Sequence, residues 1–295
     1  MTADAAPARA GAVRVSVVVP VLNEERNLPD ALASVSWADE VFVVDSGSAD
    51  RTIDVARAAG REVVQFDYAG RGPKKKEWAL RTLPFRNEWV LLLDADERVP
   101  EALRDEIAAA VTDRDRVGYF IDRELVFMGR RLRCFGHNWN MRLFVVGRGR
   151  FEDLGLGALP GTGDNEIHEH VIVDGPTGML MTPLLHDDYR GLTPWLERHN
   201  KYATWEAHFY RQLRREPLAP AELLRYRRLD PVRRKRALRR VWVRLPFRPL
   251  LRFLVWYVLR RGFRDGYPGY VYSRLMAYYE FIIGAKLAEL ERGRA

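Results

Sequence analysis

The chain has 295 residues, 47% hydrophobic and 30% charged, a composition that excludes a wholly disordered protein. Its single cysteine, Cys134, excludes an intrachain disulfide and a cysteine cluster for zinc, and suits a reducing cytoplasm. Charge is unevenly placed: residues 221–295 hold 19 Lys+Arg and 6 Asp+Glu, net +13 against +8 for the chain, which leaves residues 1–220 at −5. An acidic body with a basic tail points to two regions that face different partners. Residues 1–12 are rich in Ala and Pro without an apolar core of signal-peptide length, and read as a disordered terminus. No run of 18 apolar residues is present, so a conventional transmembrane helix is not expected.

In chain order, Val15 to Val19 reads as a strand closed by Pro20, and a helical pattern follows through Leu28, Leu32 and Val35. Val41 to Val44 is a second strand that ends at Asp45-Ser46-Gly47-Ser48. A helix from about Asp50 stops at Gly60, Val63 to Phe66 is a third strand, and Lys76 to Leu83 is a helix. Trp89 to Leu93 is a fourth strand, apolar throughout as strands buried on both faces are. It ends abruptly in Asp94-Ala95-Asp96-Glu97, before a helix opened by Pro100. Alternating strands and helices predict an α/β fold with a parallel sheet, and ligands bind such sheets beyond the carboxyl ends of the strands. Polar residues gather at three of those ends: Asn23 and Glu24, Asp45 to Ser48, and Asp94 to Glu97. Asp94 and Asp96 could hold a divalent cation through oxygen; the plain alternative is a solvated acidic turn whose Glu97 and Glu101 favour a helix N-terminus.

From Val117 to about Leu185 the pattern changes to shorter strands, Tyr119–Ile121, Leu125–Met128, Met141–Val146 and Val171–Val173, joined by glycine-rich connections. The longest of these, Gly155 to Gly163, reads as a substrate-shaping lid or as a plain loop. Beyond Thr193 helices are expected over Trp195–Arg214, Ala221–Arg228, Val232–Arg244, from Pro249 to about Arg261, and over Tyr270–Leu290. The last would place Tyr272, Leu275, Tyr279, Ile282 and Leu290 on one face. Cys134 reads as a packed residue or as a nucleophile, and His137, His199 and His208 as structural.

Val17-Val18-Val19-Pro20-Val21-Leu22-Asn23-Glu24-Glu25, then Val43-Val44-Asp45-Ser46-Gly47-Ser48-Ala49-Asp50-Arg51-Thr52, then Leu93-Asp94-Ala95-Asp96-Glu97 resemble family 2 inverting glycosyltransferases of the GT-A fold. Ile167-His168-Glu169-His170-Val171 and Leu185-His186 extend the likeness to the bacterial branch that builds lipopolysaccharide cores and exopolysaccharides. The resemblance implies a GT-A domain over residues 13–190 and a basic helical region over 191–295. It implies that Pro20, Asn23, Glu24 and Asp45 lie at the nucleotide, that Asp94 meets the ribose and diphosphate, and that Asp96 binds Mg²⁺ or Mn²⁺. Lys76 is the preferred phosphate contact among Lys74, Lys75 and Lys76, and a solvated basic turn is the alternative. Glu169 matches the family's catalytic base, with Asp164 and Glu166 as competitors. His168 and His170 flank it and, on a strand, would face away from it. His186, followed by Asp187 and Asp188, completes the metal coordination, contacts the diphosphate or is a hydrogen-bonded loop residue. Arg142 meets a phosphate or an acid; Trp139 and Trp195 stack on sugars or belong to the core.

The expected reaction moves a sugar from a nucleotide-diphosphate donor, UDP-linked by preference, to a lipid-anchored saccharide. The alternatives are a non-catalytic sugar-nucleotide or glycan-binding module of a membrane assembly, and a sugar nucleotidyltransferase. Arg225 to Arg264 hold fifteen basic residues and one acid around the apolar stretch Leu250–Leu259, too short to span a bilayer. An anionic membrane surface is the expected partner and nucleic acid is not, which places the protein in the cytoplasm, peripheral on the inner face of the plasma membrane.

Overall fold

Val15, Val17, Val18, Val19 and Val21 are all buried in the first strand, β1 (Val13–Val21), because both of its faces are covered. The computed structural model describes residues 11–68, 72–152, 170–217 and 231–293. Among them, one compact unit takes in residues 11–68, 72–123, 140–152 and 170–190, and another takes in 124–139, 191–217 and 231–293.

In the first unit β1 is followed by α1 (Leu28–Ser34), β2 (Ala38–Asp45), α2 (Thr52–Ala58), β3 (Glu62–Gln65), α3 (Lys75–Thr82), β4 (Trp89–Leu92), β5 (Glu97–Arg98) and α4 (Glu101–Ala110). β6 (Gly118–Phe127) begins in this unit and ends in the other, where β7 (Arg130–Arg131) pairs with it. β8 (Asn140–Val145), β9 (Gly149–Phe151), β10 (Val171–Val173) and β11 (Thr177–Asp187) complete the strands. Sheet order is β3-β2-β1-β4-β8-β6-β11-β5. The first four strands are parallel, and β4–β8, β8–β6 and β11–β5 are antiparallel. This is the expected α/β architecture, in which parallel β1, β2 and β4 all end on one edge. Leu103 and Ile107 of α4 and Leu28 and Leu32 of α1, four residues apart, pack with Val17, Leu91 and Leu93 in one core.

The sequence reading separates Tyr119–Ile121 from Leu125–Met128, but the structure joins them in one ten-residue strand. It also contains β11, which the apolar pattern does not announce: Gly178 and Pro183 interrupt it, and Leu180 and Leu184 are its buried residues. The glycine-rich stretch 155–163 and the expected helix 221–228 lie outside the described residues.

The second unit holds α5 (Leu192–Arg215), α6 (Pro231–Trp242), α7 (Arg248–Phe253), a π-helical continuation over Leu254–Leu259, a 3₁₀ turn at Gly262–Asp265, and α8 (Gly266–Glu291). α8 packs on α5 and α7. Its buried side is rotated from the expected one: Tyr272, Ser273, Glu280, Ile283 and Leu287 face inward, whereas Leu275, Ile282 and Leu290 are only part-buried. Glu280 turns in because Arg252 donates to it at 2.7 Å and Arg248 lies 3.1 Å away. Cys134 packs with Leu125, Leu132, Trp256 and Tyr272, and burial pushes its thiol up to about 12. It is a packed residue, since the thiolate a nucleophile needs is disfavoured there.

Gly269 sits where a Cβ would overlap the carbonyl oxygen of Gly262. Ala normally stabilises a helix over Gly by up to about 1 kcal/mol. Here Gly269→Ala is expected to destabilise by about 1–3 kcal/mol, read as a lower thermal midpoint. A raised midpoint would contradict this packing.

Candidate active site

Three carboxylates within four residues, Asp94, Asp96 and Glu97, leave the buried end of β4, and their charges need partners at once. Glu97 is fully buried in β5 and is taken up by Arg142 of β8, whose Nη2 donates to Glu97 Oε1 at 2.7 Å and to Asp94 Oδ2 at 2.8 Å. Lys76, in the first turn of α3, donates to Asp94 Oδ1 at 2.6 Å, and the Asp94 amide donates to Glu97 Oε2 at 3.0 Å. Arg123 of β6 stands 3.6 Å from Glu97. Burial raises the Asp94 pKa, but Arg142 and Lys76 outweigh it and hold the carboxyl well below its usual range. For Glu97 burial wins and the shift is upward. Arg142 therefore meets acids, one of its two expected roles, and Glu97 does much more than favour a helix N-terminus.

Asp96 has a different neighbourhood. Antiparallel pairing of β11 with β5 sets His186 opposite Glu97, and the Asp187 amide donates to the Asp96 carbonyl at 2.9 Å. His186 Nδ1 thereby lies 3.1 Å from Asp96 Oδ1, yet it is buried without a well-aligned hydrogen bond. Burial raises the Asp96 pKa, but His186 overrides it and the net shift is down. Arg190 approaches Asp96 Oδ2 at 3.7 Å, donates to Asp188 Oδ1 at 2.9 Å and to Glu24 Oε1 at 2.5 Å. Asn27, fully buried, ties the cluster together: its Nδ2 donates to Glu24 at 2.8 Å and Asp188 at 3.0 Å, and its oxygen accepts from the Tyr189 amide at 2.8 Å. The sequence reading singles out neither Arg190 nor Asn27. The position of Arg190 directly after His186-Asp187-Asp188-Tyr189 is the signal available for it.

The other expected nucleotide residues stand on the same sheet edge. Pro20 pairs with Val44 across β1 and β2. Asn23 adopts a left-handed conformation (φ 55°); its oxygen accepts from the Ala49 amide at 2.8 Å, and its own amide donates to Ser48 Oγ at 2.9 Å. Asp45 is buried and accepts from the Gly47 amide at 2.9 Å and the Ser48 amide at 3.1 Å, folding its turn back on itself. These bonds lock the loops after β1 and β2 together. Lys75, buried, donates to the Val21 carbonyl at 2.8 Å and supports the strand end. Glu169, Asp164, Glu166 and His168 lie outside the described residues. Trp139 and Trp195 belong to the second unit, where they stack on His137 and His199. His199 is part-buried, and its desolvation lowers its pKa to about 4, which fits a structural role.

Among the described residues no three His, Cys, Asp or Glu side chains enclose a metal site. The pair that suits a cation is Asp96 and His186: one carboxylate and one buried imidazole nitrogen 3.1 Å from it, without a well-aligned hydrogen bond. Asp94, already neutralised, is 26% exposed and offers acceptor oxygens to a hydroxyl-bearing ligand.

Two outcomes follow from these charges. Arg142→Met leaves Asp94 and Glu97 short of their shared cation and should cost about 3–5 kcal/mol by urea unfolding; a loss under about 1 kcal/mol would mean that the cluster behaves like surface ion pairs. Burial, with Asp96 and Asp188 adding to it against Arg190, pushes Glu24 up to about 8 from 4.5. Between those values the folded chain holds a proton that the unfolded chain has lost, so stability should fall as pH rises through that window. Glu24→Gln should flatten that slope in thermal melts, and an unchanged slope would assign it to another group.

Compared with known proteins, residues 16–154 match the sequence model of Glycosyl transferase family 2. The chain is 26% identical over 281 residues to the lipopolysaccharide core biosynthesis glycosyltransferase LpsC of Rhizobium meliloti (strain 1021), covering 92% of this chain and 91% of that protein. It is 24% identical to an uncharacterized glycosyltransferase of Rickettsia prowazekii (strain Madrid E), covering 94% and 87%. Among solved structures, a mannosyltransferase from Pyrobaculum calidifontis in complex with GDP-Man and Mn²⁺ aligns over 97% of this chain and 90% of its own, with 18% identity and a TM-score of 0.49. Glucosyl-3-phosphoglycerate synthase from Mycobacterium tuberculosis, in complex with Mn²⁺, UDP and glucosyl-3-phosphoglycerate, aligns over 38% of this chain and under half (44%) of its own, with 26% identity and a TM-score of 0.31. With their three motif-bearing strand ends, residues 16–154 carry the match to Glycosyl transferase family 2, and the chain is a glycosyltransferase.

Proposed function

We propose that this glycosyltransferase moves a sugar, with inversion and with the help of a divalent cation, from a UDP-linked donor to a lipid-anchored saccharide in bacterial lipopolysaccharide or exopolysaccharide synthesis. The observation that carries the reading is the division between two nearby aspartates: Asp94 is neutralised by Lys76 and Arg142, while Asp96 faces the His186 imidazole at 3.1 Å and Arg190 at 3.7 Å. The likeness to LpsC along nearly the whole chain favours a lipopolysaccharide-type acceptor. The same reading places the protein in the cytoplasm, peripheral on the inner face of the plasma membrane, with no nucleic-acid partner.

Asp96 and His186 would hold Mg²⁺ or Mn²⁺. When bound, the cation supplies Lewis-acid stabilisation of the charge on the departing diphosphate. Asp94 accepts a ribose hydroxyl, held in place by Arg142 from behind. Pro20, Asn23, Glu24 and Asp45 shape the nucleotide cleft, Asn23 and Asp45 by fixing the two loops and Glu24 by fixing Arg190. Lys76 stands where a phosphate could share its ammonium with Asp94. Glu169 takes the proton of the acceptor hydroxyl as its oxygen bonds to the anomeric carbon and the bond to the diphosphate breaks.

The test is a panel of UDP- and GDP-sugars with a lipid-linked saccharide acceptor, with and without Mn²⁺. Metal-dependent transfer from a UDP-sugar is expected, and absence of binding, hydrolysis and transfer across the panel would overturn the reading. Asp96→Ala should remove metal-dependent nucleotide binding. Glu169→Gln should leave binding intact and slow transfer by about 10²–10⁴-fold, the usual worth of a general base. Equal loss of nucleotide binding in both variants would contradict their separate roles.

A further inference from the structure

Within the second unit, the helices leave a large apolar surface uncovered. Phe247, Leu250, Leu254 and Val258 recur every three or four residues along α7 and its π-helical continuation, and all four are exposed. Tyr267 with Tyr270, and Tyr278 with Phe281, are exposed along α8 as two pairs, each three residues apart, with exposed Arg274 between the pairs. The two stripes adjoin: Tyr270 lies edge-on to Phe253 and Tyr257, and Phe247 and Phe281 line one crevice. Phe247 is 79% exposed and Leu259 74%, positions that a soluble surface rarely gives to such side chains in a cluster. Phe247 also holds a left-handed backbone (φ 51°), and Arg261 (φ 60°) bounds the other end of the segment. Strained non-glycine positions of this kind persist where surrounding structure or function demands them.

The rim is basic. Residues 231–264 contain twelve Lys+Arg and no acid. Part of that charge is committed internally, as with Arg248 and Arg252 on Glu280. Arg261, Arg264 and Arg274, however, are exposed beside Leu259, Phe263, Tyr267 and Tyr270. No helix among the described residues is long and apolar enough to cross a membrane. We infer that the exposed faces of α7, its π-helical continuation and α8 form a monotopic docking surface for an anionic lipid bilayer, with Leu, Val and Phe side chains entering the acyl boundary, tyrosines at the headgroup level and arginines on lipid phosphates. The inference deepens the peripheral placement proposed above and rests on it. Aliphatic side chains at the centre of the patch gain nothing from stacked bases, and a two-fold contact between copies would bring like arginine rims together. Charge complementarity selects the bilayer.

The experiment is flotation of the full chain with phosphatidylglycerol-containing vesicles and with neutral phosphatidylcholine vesicles, at two salt concentrations. The variants are Leu259→Ser/Phe263→Ser/Phe281→Ser and, separately, Arg261→Glu/Arg264→Glu, each checked for wild-type circular dichroism and melting. The wild type should float with the anionic vesicles, and each variant should partition at least about tenfold more weakly. Flotation of the apolar variant equal to wild type overturns this surface while leaving the peripheral placement standing. No flotation of the wild type overturns both, whereas sugar transfer to a soluble acceptor still reports separately on the catalytic reading. A wild-type dimer that dissociates in the apolar variant without lipid binding assigns the face to a second copy and overturns the inference.

Discussion

Everything at the active edge depends on how the protein accommodates three negative charges at the end of a buried strand. Asp94, Asp96 and Glu97 cannot leave β4 within four residues and remain unpaired in a dry interior. Arg142 joins Glu97 to Asp94, and Lys76 takes the other Asp94 oxygen. That arrangement fixes the backbone at the β4 end and aims Asp96 the other way, toward β11. A buried arginine is thus a condition for the site's geometry. The same economy of charge explains Arg190, which gathers Glu24, Asp188 and the edge of Asp96 from the loop that follows β11.

Much of the fold was legible because burial on both faces forces an uninterrupted apolar run. β1, β2 and β4 announce themselves as Val and Leu, and their polar ends mark the cleft. β5, two residues long and made of Glu97 and Arg98, has no apolar signal at all, since it is defined by ion pairs and by β11. β11 is hidden by Gly178 and Pro183, and with it the reason His186 meets Asp96. Sequence patterning named Lys76 and Arg142 as candidates but could not choose between a phosphate contact and a solvated turn for Lys76, or between a phosphate and an acid for Arg142. That choice depends on register between α3, β4 and β8, which no local pattern encodes.

In the second unit, charge counting is instructive in a different way. The tail reads as uniformly basic, yet Arg248 and Arg252 answer the buried Glu280, Arg240 lies 3.2 Å from Glu216, and the Arg244 guanidinium donates to carbonyls at the end of α5 and just beyond it. A substantial share of the positive charge is therefore structural. It also rotates α8, because the helix turns to bring Glu280 inward and so leaves Tyr278 and Phe281 outside. Apolar periodicity alone gives a different face for that helix, through Leu275, Tyr279 and Ile282, because it takes no account of a buried ion pair at Glu280.

The central claim is that Asp96 and His186, not Asp94, hold the divalent cation. Pulsed electron paramagnetic resonance of Mn²⁺ bound with UDP tests it directly, because a ligating imidazole nitrogen couples to the metal spin. The account predicts nitrogen coupling in the wild type and in Asp94→Asn, and its loss in His186→Gln. A nitrogen-free spectrum in the wild type, or unchanged coupling in His186→Gln, would contradict it.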